Sequence, residues 1–463
     1  MSPVLPTLEQ LLALGLNADG SIAPGFPLVV TVSPASFQFS GVDGRLVAPS
    51  SDQERRDHAA VVLAAQVLAQ TSHVVAFPTE TVYGLGANAT NSNSVANVFK
   101  AKGRPSDNPL IVHISSLQMA RDHLLPPNVD IPKQYLPVLE QHWPGPLTIL
   151  LPKGPKVPHV VTAGHESVAV RMPSHPVARA LIALSNCPIA APSANTSTRP
   201  SPTLASHVQQ DLNQRILLIL DGGPCEGGIE STVLDALRSP PCILRPGGVT
   251  VEMISRINGF ENAVVFKKGS SAVSDKELIA PVTPGMKYKH YAPRIPVVLF
   301  ETPPSSAALP PSSVAPISEE RQSSLEKAME QRILQVLNDV SNQQKSELPC
   351  PRELTIGILR TQTQTPLAFS GLQQLLASKS SSTTSSASSA TATPSSIPPR
   401  IHIHQESLGT TLAQVGANLF RALRELEAME GCCIVFIEGV EEVDEGLAVM
   451  NRVRKAAGET ILL

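Results

Sequence analysis

Two kinds of hydrophobic pattern alternate along this chain. Short apolar runs, closed by Pro, Gly or a polar cluster, are separated by stretches with apolar residues every three or four positions. The first kind predicts buried strands and the second predicts amphipathic helices. Val61, Val62, Ala65 and Leu68 predict a helix feeding a strand at 74–77, which Pro78 stops. Val95, Val98 and Phe99 predict the next helix, with caps among residues 91–94 and Gly103 at its end. A buried strand at 110–112 and a helical region near 135–141 follow. Pro144-Gly-Pro146 sets a turn before another buried strand. Strands at 168–170, 189–191 and 216–220 then alternate with helices at 176–185 and 205–212, and a helix lies near 252–257.

The two flanks read differently. Residues 1–56 are rich in Pro, Ser and Gly, with short edge strands at 28–32 and 36–39, and are taken as an N-terminal extension. From Arg294, strands at 297–300, 354–359, 401–403 and 433–437 alternate with helices at 328–340, 411–426 and 449–457. Such alternation implies a parallel wound sheet. A Ser/Thr/Ala/Pro tract at 378–399 has too little apolar surface to fold and is expected to be a disordered insertion. The predicted organisation is α/β throughout: extension 1–56, first domain 57–265, linker 266–293 and second domain 294–463.

Composition narrows the classes. The 463 residues are 42% hydrophobic and 16% charged, enough for a sizeable core, and the net charge of -3 gives no global attraction to nucleic acid or an anionic membrane. Aromatics at 3% supply few platforms for stacking single-stranded bases. Cys187, Cys225, Cys242, Cys350, Cys432 and Cys433 form no CxxC pair, which fits reduced thiols in a reducing compartment. No run of 18 apolar residues occurs, so no membrane span is expected. The N-terminus lacks the basic region of a signal peptide and the Arg-rich character of a transit peptide. A cytoplasmic location is expected, with an organellar form from another start site left open.

The candidate chemistry centres on residues 74–114. Thr79, Glu80 and Thr81 leave a strand end as a polar cluster, and Gly84 and Gly86 allow close backbone approach. Lys102 and Arg104 project from a helix end just before the next strand. Two cations beside two hydroxyls suit a polyphosphate. Lys-Gly-Arg alone is more often a solvated helix terminus. Arg171 ends an apolar strand and should be paired, in a structural ion pair or with a ligand. His113 also ends an apolar strand, as a core histidine or a ligand contact. Residues 284–293 are too polar and too aromatic-dense for an idle spacer.

Several blocks, in one order, carry a family likeness. They are Phe77-Pro-Thr-Glu-Thr-Val-Tyr-Gly-Leu-Gly86, Lys102-Gly-Arg-Pro105, Asn108-Pro-Leu-Ile-Val-His113, Trp143-Pro-Gly-Pro-Leu-Thr148, Val168-Ala-Val-Arg-Met-Pro173, Ala190-Ala-Pro-Ser-Ala-Asn195, residues 227–232 and Leu244-Arg-Pro-Gly247. Together they resemble the threonylcarbamoyl-AMP synthases, the YrdC-like proteins. The second half, through Gly446-Leu-Ala-Val-Met-Asn-Arg-Val-Arg-Lys-Ala-Ala457, resembles the C-terminal domain of the two-domain members.

The resemblance implies a YrdC-like twisted open mixed sheet with flanking helices, a linker, and a smaller Rossmann-like wound domain. It implies that L-threonine, bicarbonate and ATP give threonylcarbamoyl-AMP and pyrophosphate, as a nucleotidyltransferase would. The product serves a downstream tRNA-modifying transferase that acts beside the anticodon. Direct contact with tRNA is left open. By match, Lys102, Arg104, Asn108, Ser167, Ser193, Ser201 and Arg245 are expected to bind ATP. Lys102 and Arg104 are the catalytic candidates. Thr81, His113, Arg171, Ala191 and Ser231 are expected to bind threonine, with Arg171 on the carboxylate. His290, in a lid over residues 284–293, is expected on the ATP phosphates. Magnesium is expected with ATP, and no protein ligand for it is legible. The rival readings are an RNA-binding protein of the same fold without synthase activity, and a carbamoyl-phosphate-dependent transferase. The second would bring zinc-finger segments, and no CxxC pair occurs.

Overall fold

Helix starts in this chain are set by caps as well as by apolar spacing. The helix Asp52–Gln70 begins at Ser51, whose side chain accepts from Glu54 N while the Glu54 side chain returns to the cap. It therefore starts before its first apolar repeat. Its buried face runs through Val61, Ala64, Ala65 and Leu68, whereas Val62 is exposed. The helix Ser92–Lys102 is capped by Asn91 and closed by Gly103 at φ 61°, a left-handed conformation that glycine adopts without strain.

The computed structural model describes residues 5–40, 44–266, 290–301, 314, 317–343, 353–363, 365–370, 372–373 and 400–463. The tract at 378–399, most of the 266–293 linker and Cys350 lie outside the described residues. The chain divides into two units, Met1–Tyr291 with Leu419–Arg421, and Ala292–Asn418 with Ala422–Leu463. Among the described residues no helix is long and apolar enough to cross a membrane.

The first unit is built on eleven strands. They are β1 Leu28–Thr31, β2 Val75–Phe77, β3 Gly84–Asn88, β4 Ile111–His113, β5 Leu147–Pro152, β6 Ser167–Arg171, β7 Ile189–Ala190, β8 Leu218–Asp221, β9 Thr232–Asp235, β10 Cys242–Arg245 and β11 Val264–Val265. Their order across the sheet is β1-β8-β2-β3-β7-β4-β6-β5-β9-β10-β11, with parallel and antiparallel neighbours mixed. β2, β4 and β7 are buried along their whole length, as expected of strands covered on both faces. One core cluster joins Val75, Phe77, Val112, Ile149 and Val170 to Val61, Leu68, Leu181 and Leu212 from the helices.

The first 56 residues, expected as an N-terminal extension, contribute to the sheet and core of the first unit. β1 pairs in parallel with β8, Leu28 opposite Leu218 and Thr31 opposite Asp221. Leu11, Val32 and Phe37 are buried in the same core. The expected strand at 36–39 is absent. Pro34 starts a short 3-10 turn, Pro34–Ser36, and Phe39 forms only an isolated bridge to Leu46.

In the second unit β12 Val297–Glu301, β13 Glu353–Arg360, β14 Arg400–Ser407, β15 Cys432–Glu438 and β16 Glu459–Leu462 form a sheet ordered β14-β13-β15-β12-β16. Every neighbouring pair is parallel. The helices Glu319–Gln343, Leu412–Ala428 and Glu445–Ala456 lie on the connections between its strands, as a wound sheet requires. Central β13 is buried over seven of its eight residues, while edge strand β14 alternates exposed and half-buried positions.

Candidate active site

Strand order explains which distant residues meet. β4 lies between β7 and β6, and its last residue, His113, pairs in register with Arg171 on one side and Ile189 on the other. Thr148 on β5 stands opposite Arg171 and Val233. β4 and β6 thus end side by side, and β5 crosses that end in the opposite direction. Thr81 in the β2–β3 turn, Ala191 beyond β7, Ser231 before β9 and Arg245 at the end of β10 close around them. They line one cleft in the first unit, about 740 Å³ including its open side.

Its wall contains Thr81, Lys102, Arg104, His113, Arg171, Ala191, Ser193, Ser201, Ser231, Arg245 and His290 of the residues expected from sequence. Two expected residues are not in the wall. Ser167 opens β6, at the end opposite Arg171, so the strand carries it roughly 13 Å away. Asn108 is buried at 1% exposure, and neither atom of its amide has a hydrogen-bond partner. Of the segment 284–293, expected as a lid, His290 and Tyr291 line the cleft, whereas 284–289 lie outside the described residues.

The two cations at the helix end differ in surroundings. Lys102 is 3% exposed, and its ammonium donates to Ser193 O at 2.5 Å and Asn195 O at 2.6 Å, with Asn195 Oδ1 at 3.4 Å. It fastens the segment after β7. Arg104 is half-buried, and its Nη2 reaches Asn108 O at 3.3 Å and Pro109 O at 3.4 Å, bracing the loop before β4.

Arg171 is held on three sides. Nε donates to Gly145 O at 3.2 Å, Nη1 donates to Thr81 Oγ1 at 3.0 Å, and Nη2 lies 2.7 Å from Glu80 Oε1. Thr79 Oγ1 donates to Val82 O at 2.7 Å, so Thr81 is the donor in the 2.8 Å contact between the two hydroxyls. The Thr81 lone pairs are then free to face Arg171. Ser231 Oγ lies 2.8 Å from Thr148 Oγ1, and Arg245 Nη2 donates to Ser231 O at 2.9 Å and to its Oγ at 3.2 Å. Ser201 donates to Glu230 Oε1 at 2.6 Å.

The electrostatics favour an anion. Lys102, Arg104, Arg171, Arg199 and Arg245 line the cleft against Glu230, although Arg199 is paired with Asp211 at 2.6 Å. Burial, and then the nearby Arg171 charge, lower the His113 imidazole to about 3, so it is neutral at physiological pH. Its Nδ1 has no hydrogen-bond partner. Among the described residues no group of three His, Cys, Asp or Glu side chains could hold a metal ion. Sequence reasoning left Glu80, Asn195 and Glu230 without roles although all three lie inside the quoted motifs. Their only sequence signal was a charged or amide side chain beside a strand end.

Residues 68–247 match the family model described as "Telomere recombination", and residues 249–458 match that of the "Threonylcarbamoyl-AMP synthase, C-terminal domain". The threonylcarbamoyl-AMP synthase of Schizosaccharomyces pombe is 40% identical over 452 residues, covering 90% of this chain and 96% of the relative. That of Pyrococcus abyssi is 37% identical over 389 residues, covering 84% and 92%. The crystal structure of P. abyssi Sua5 complexed with L-threonine aligns with a TM-score of 0.66 at 33% identity, covering 94% of this chain and 99% of that one.

Proposed function

The chain belongs to the threonylcarbamoyl-AMP synthases, and from that premise we propose how its cleft performs the reaction. The enzyme makes threonylcarbamoyl-AMP from L-threonine, bicarbonate and ATP and releases pyrophosphate. The product supplies the threonylcarbamoyl group that a transferase places on adenosine beside the anticodon of certain transfer RNAs. One observation carries the site assignment: residues expected for the nucleotide and residues expected for the amino acid line a single cleft.

Bicarbonate carboxylates the threonine amine, with loss of water, to give a carbamate. One oxygen of the new carboxylate attacks the α-phosphorus of ATP, and the bond to the pyrophosphate oxygen breaks in line. The protein's task is to hold these two partners aligned and to neutralise charge growing on the leaving group. Arg171 takes the amino-acid carboxylate, because a guanidinium fork can donate two parallel bonds. Thr81 and Ser231 supply hydroxyls beside it. Arg104, Arg245 and His290 face the phosphates, and Lys102 keeps Ser193 in place while adding positive charge to the wall. An imidazole lowered to about 3 is too weak a base to deprotonate the amine, so His113 orients the substrate. Magnesium would be carried by the ATP phosphates and water, and would supply positive charge to the leaving pyrophosphate.

The test is pyrophosphate release from purified protein with no RNA present. The reading expects release only when threonine and bicarbonate are both supplied. An RNA-binding protein without synthase activity would retain RNA and show no such dependence.

A further inference from the structure

Glu80 is a half-buried acid that the reaction as described does not use. It sits between Thr79 and Thr81 on the turn after β2, yet unlike them it is not part of the cleft wall. Its Oε1 lies 2.7 Å from Arg171 Nη2, and its side chain is 15% exposed. Its backbone carbonyl accepts from Gly227 N at 2.7 Å. A Cβ on Gly227 would stand 2.8 Å from that carbonyl, so only glycine fits there. Glu80 therefore touches both Arg171 and the glycine-rich segment that leads to Glu230 and Ser231.

The remaining contacts of Arg171 show what this does. Nε is fixed by Gly145 O and Nη1 by Thr81 Oγ1. A guanidinium is one rigid plane, and the ion pair at Nη2, close but without hydrogen-bond geometry, holds its outer edge by charge. Nη1 keeps a second N–H beyond its bond to Thr81, and Nη2 is engaged only by charge, so both can donate to a ligand. Burial pushes the Glu80 carboxyl up more than any single neighbour pulls it down, but the Arg171 guanidinium and backbone N–H groups together hold it below its ordinary value. The pair is therefore ionised at neutral pH. A fixed anion on the far edge also reduces the net charge facing the cleft, so an incoming carboxylate gains more from alignment than from bulk attraction.

We propose that Glu80 is a positioning residue of the amino-acid subsite: it locks the plane of Arg171 and, through Gly227, ties that plane to the segment carrying Ser231. This rests on the reading of the cleft as a threonine site. Two substitutions in the full chain test it, Glu80→Gln, which is isosteric without the charge, and Glu80→Asp, which keeps the charge but withdraws it by one methylene. Threonine binding by calorimetry and the KM values of both substrates are measured, with melting as the folding check. Each variant should bind threonine at least about tenfold more weakly, with ATP KM within about twofold of the parent. Should Glu80→Gln fail to fold, Glu80→Asp carries the test alone. Parent-like threonine binding in a folded variant overturns the proposal, as does an equal loss for both substrates, which marks a merely structural acid. A parent protein that binds no threonine overturns the reading of the cleft itself, and this proposal with it.

Discussion

Lys102→Met tests how the cleft wall is held together. The substitution keeps the aliphatic stem and removes only the ammonium, which now meets Ser193 O at 2.5 Å and Asn195 O at 2.6 Å. A hydrogen bond to a charged group contributes roughly 1.5–3 kcal/mol, so the two short ones together amount to about 3–6 kcal/mol. Releasing a buried ammonium from its desolvation penalty offsets part of that, and about 3 kcal/mol is a reasonable net loss. At roughly 2–4 °C per kcal/mol for a domain of this size, melting should fall by about 6–12 °C. The functional loss should be larger in proportion. Ser193 and Ser201 both ride on the segment that Lys102 fastens, and a shift of about 1 Å can cost a hundredfold in rate. Calorimetric melting and the ATP dependence of pyrophosphate release read the two effects separately. A variant that melts within about 2 °C of the parent and has unchanged ATP KM would refute the argument, because both hydrogen bonds would then contribute almost nothing.

Three further outcomes follow from the packing. Gly247→Ala would place a Cβ 2.3 Å from Thr232 N and 2.5 Å from the Ser231 carbonyl carbon, so threonine-dependent turnover should collapse, while Gly248→Ala, with its nearest contact at 3.9 Å, should be close to neutral in the same assay. Removing residues 1–33 strips β1 from β8 and takes Leu11 and Val32 from the core, so the truncated protein should lose several kcal/mol in urea titration, on the order of 1.5–3 kcal/mol per buried side chain; parental stability would show the segment to be dispensable. Burial lowers His113 to about 3 and His175 to about 4 against 6.5 unfolded, so the unfolded chain binds more protons across that window. Stability should then rise with pH through the window and be lost as pH falls below about 6.5. His113→Gln should flatten that slope, and a urea midpoint unchanged between pH 7 and about pH 4 would contradict it.

Much of the fold was legible because most elements carry their own signal. The helices Pro176–Ser185 and Ala205–Leu212 fall where apolar spacing puts them, and the helix Ser92–Lys102 differs only where its cap decides. The strands that escaped notice are the ones local pattern does not mark. β3 is Gly-Leu-Gly-Ala-Asn, and its glycines suggest loop until β2 and β7 are seen beside it. β9 and β10 are four residues each, too short to show a period. β1 pairs with a strand nearly two hundred residues away, and no local rule reports such a partner. The cleft was legible as a set of motifs but not as a geometry. Spacing gave no reason for His113 and Arg171 to be register partners, or for Arg245 to brace Ser231. The same limit hid Glu80, whose charge was visible while its partner lay ninety-one positions further on.

The central claim is that one cleft joins threonine, bicarbonate and ATP into a single molecule. The most direct measurement is mass analysis of the products formed from ATP, L-threonine and ¹³C-labelled bicarbonate, without RNA. The account predicts an AMP adduct that carries both the threonine mass and one labelled carbon, formed in step with pyrophosphate. Pyrophosphate release that yields only free AMP, or an adduct lacking the label, would contradict it.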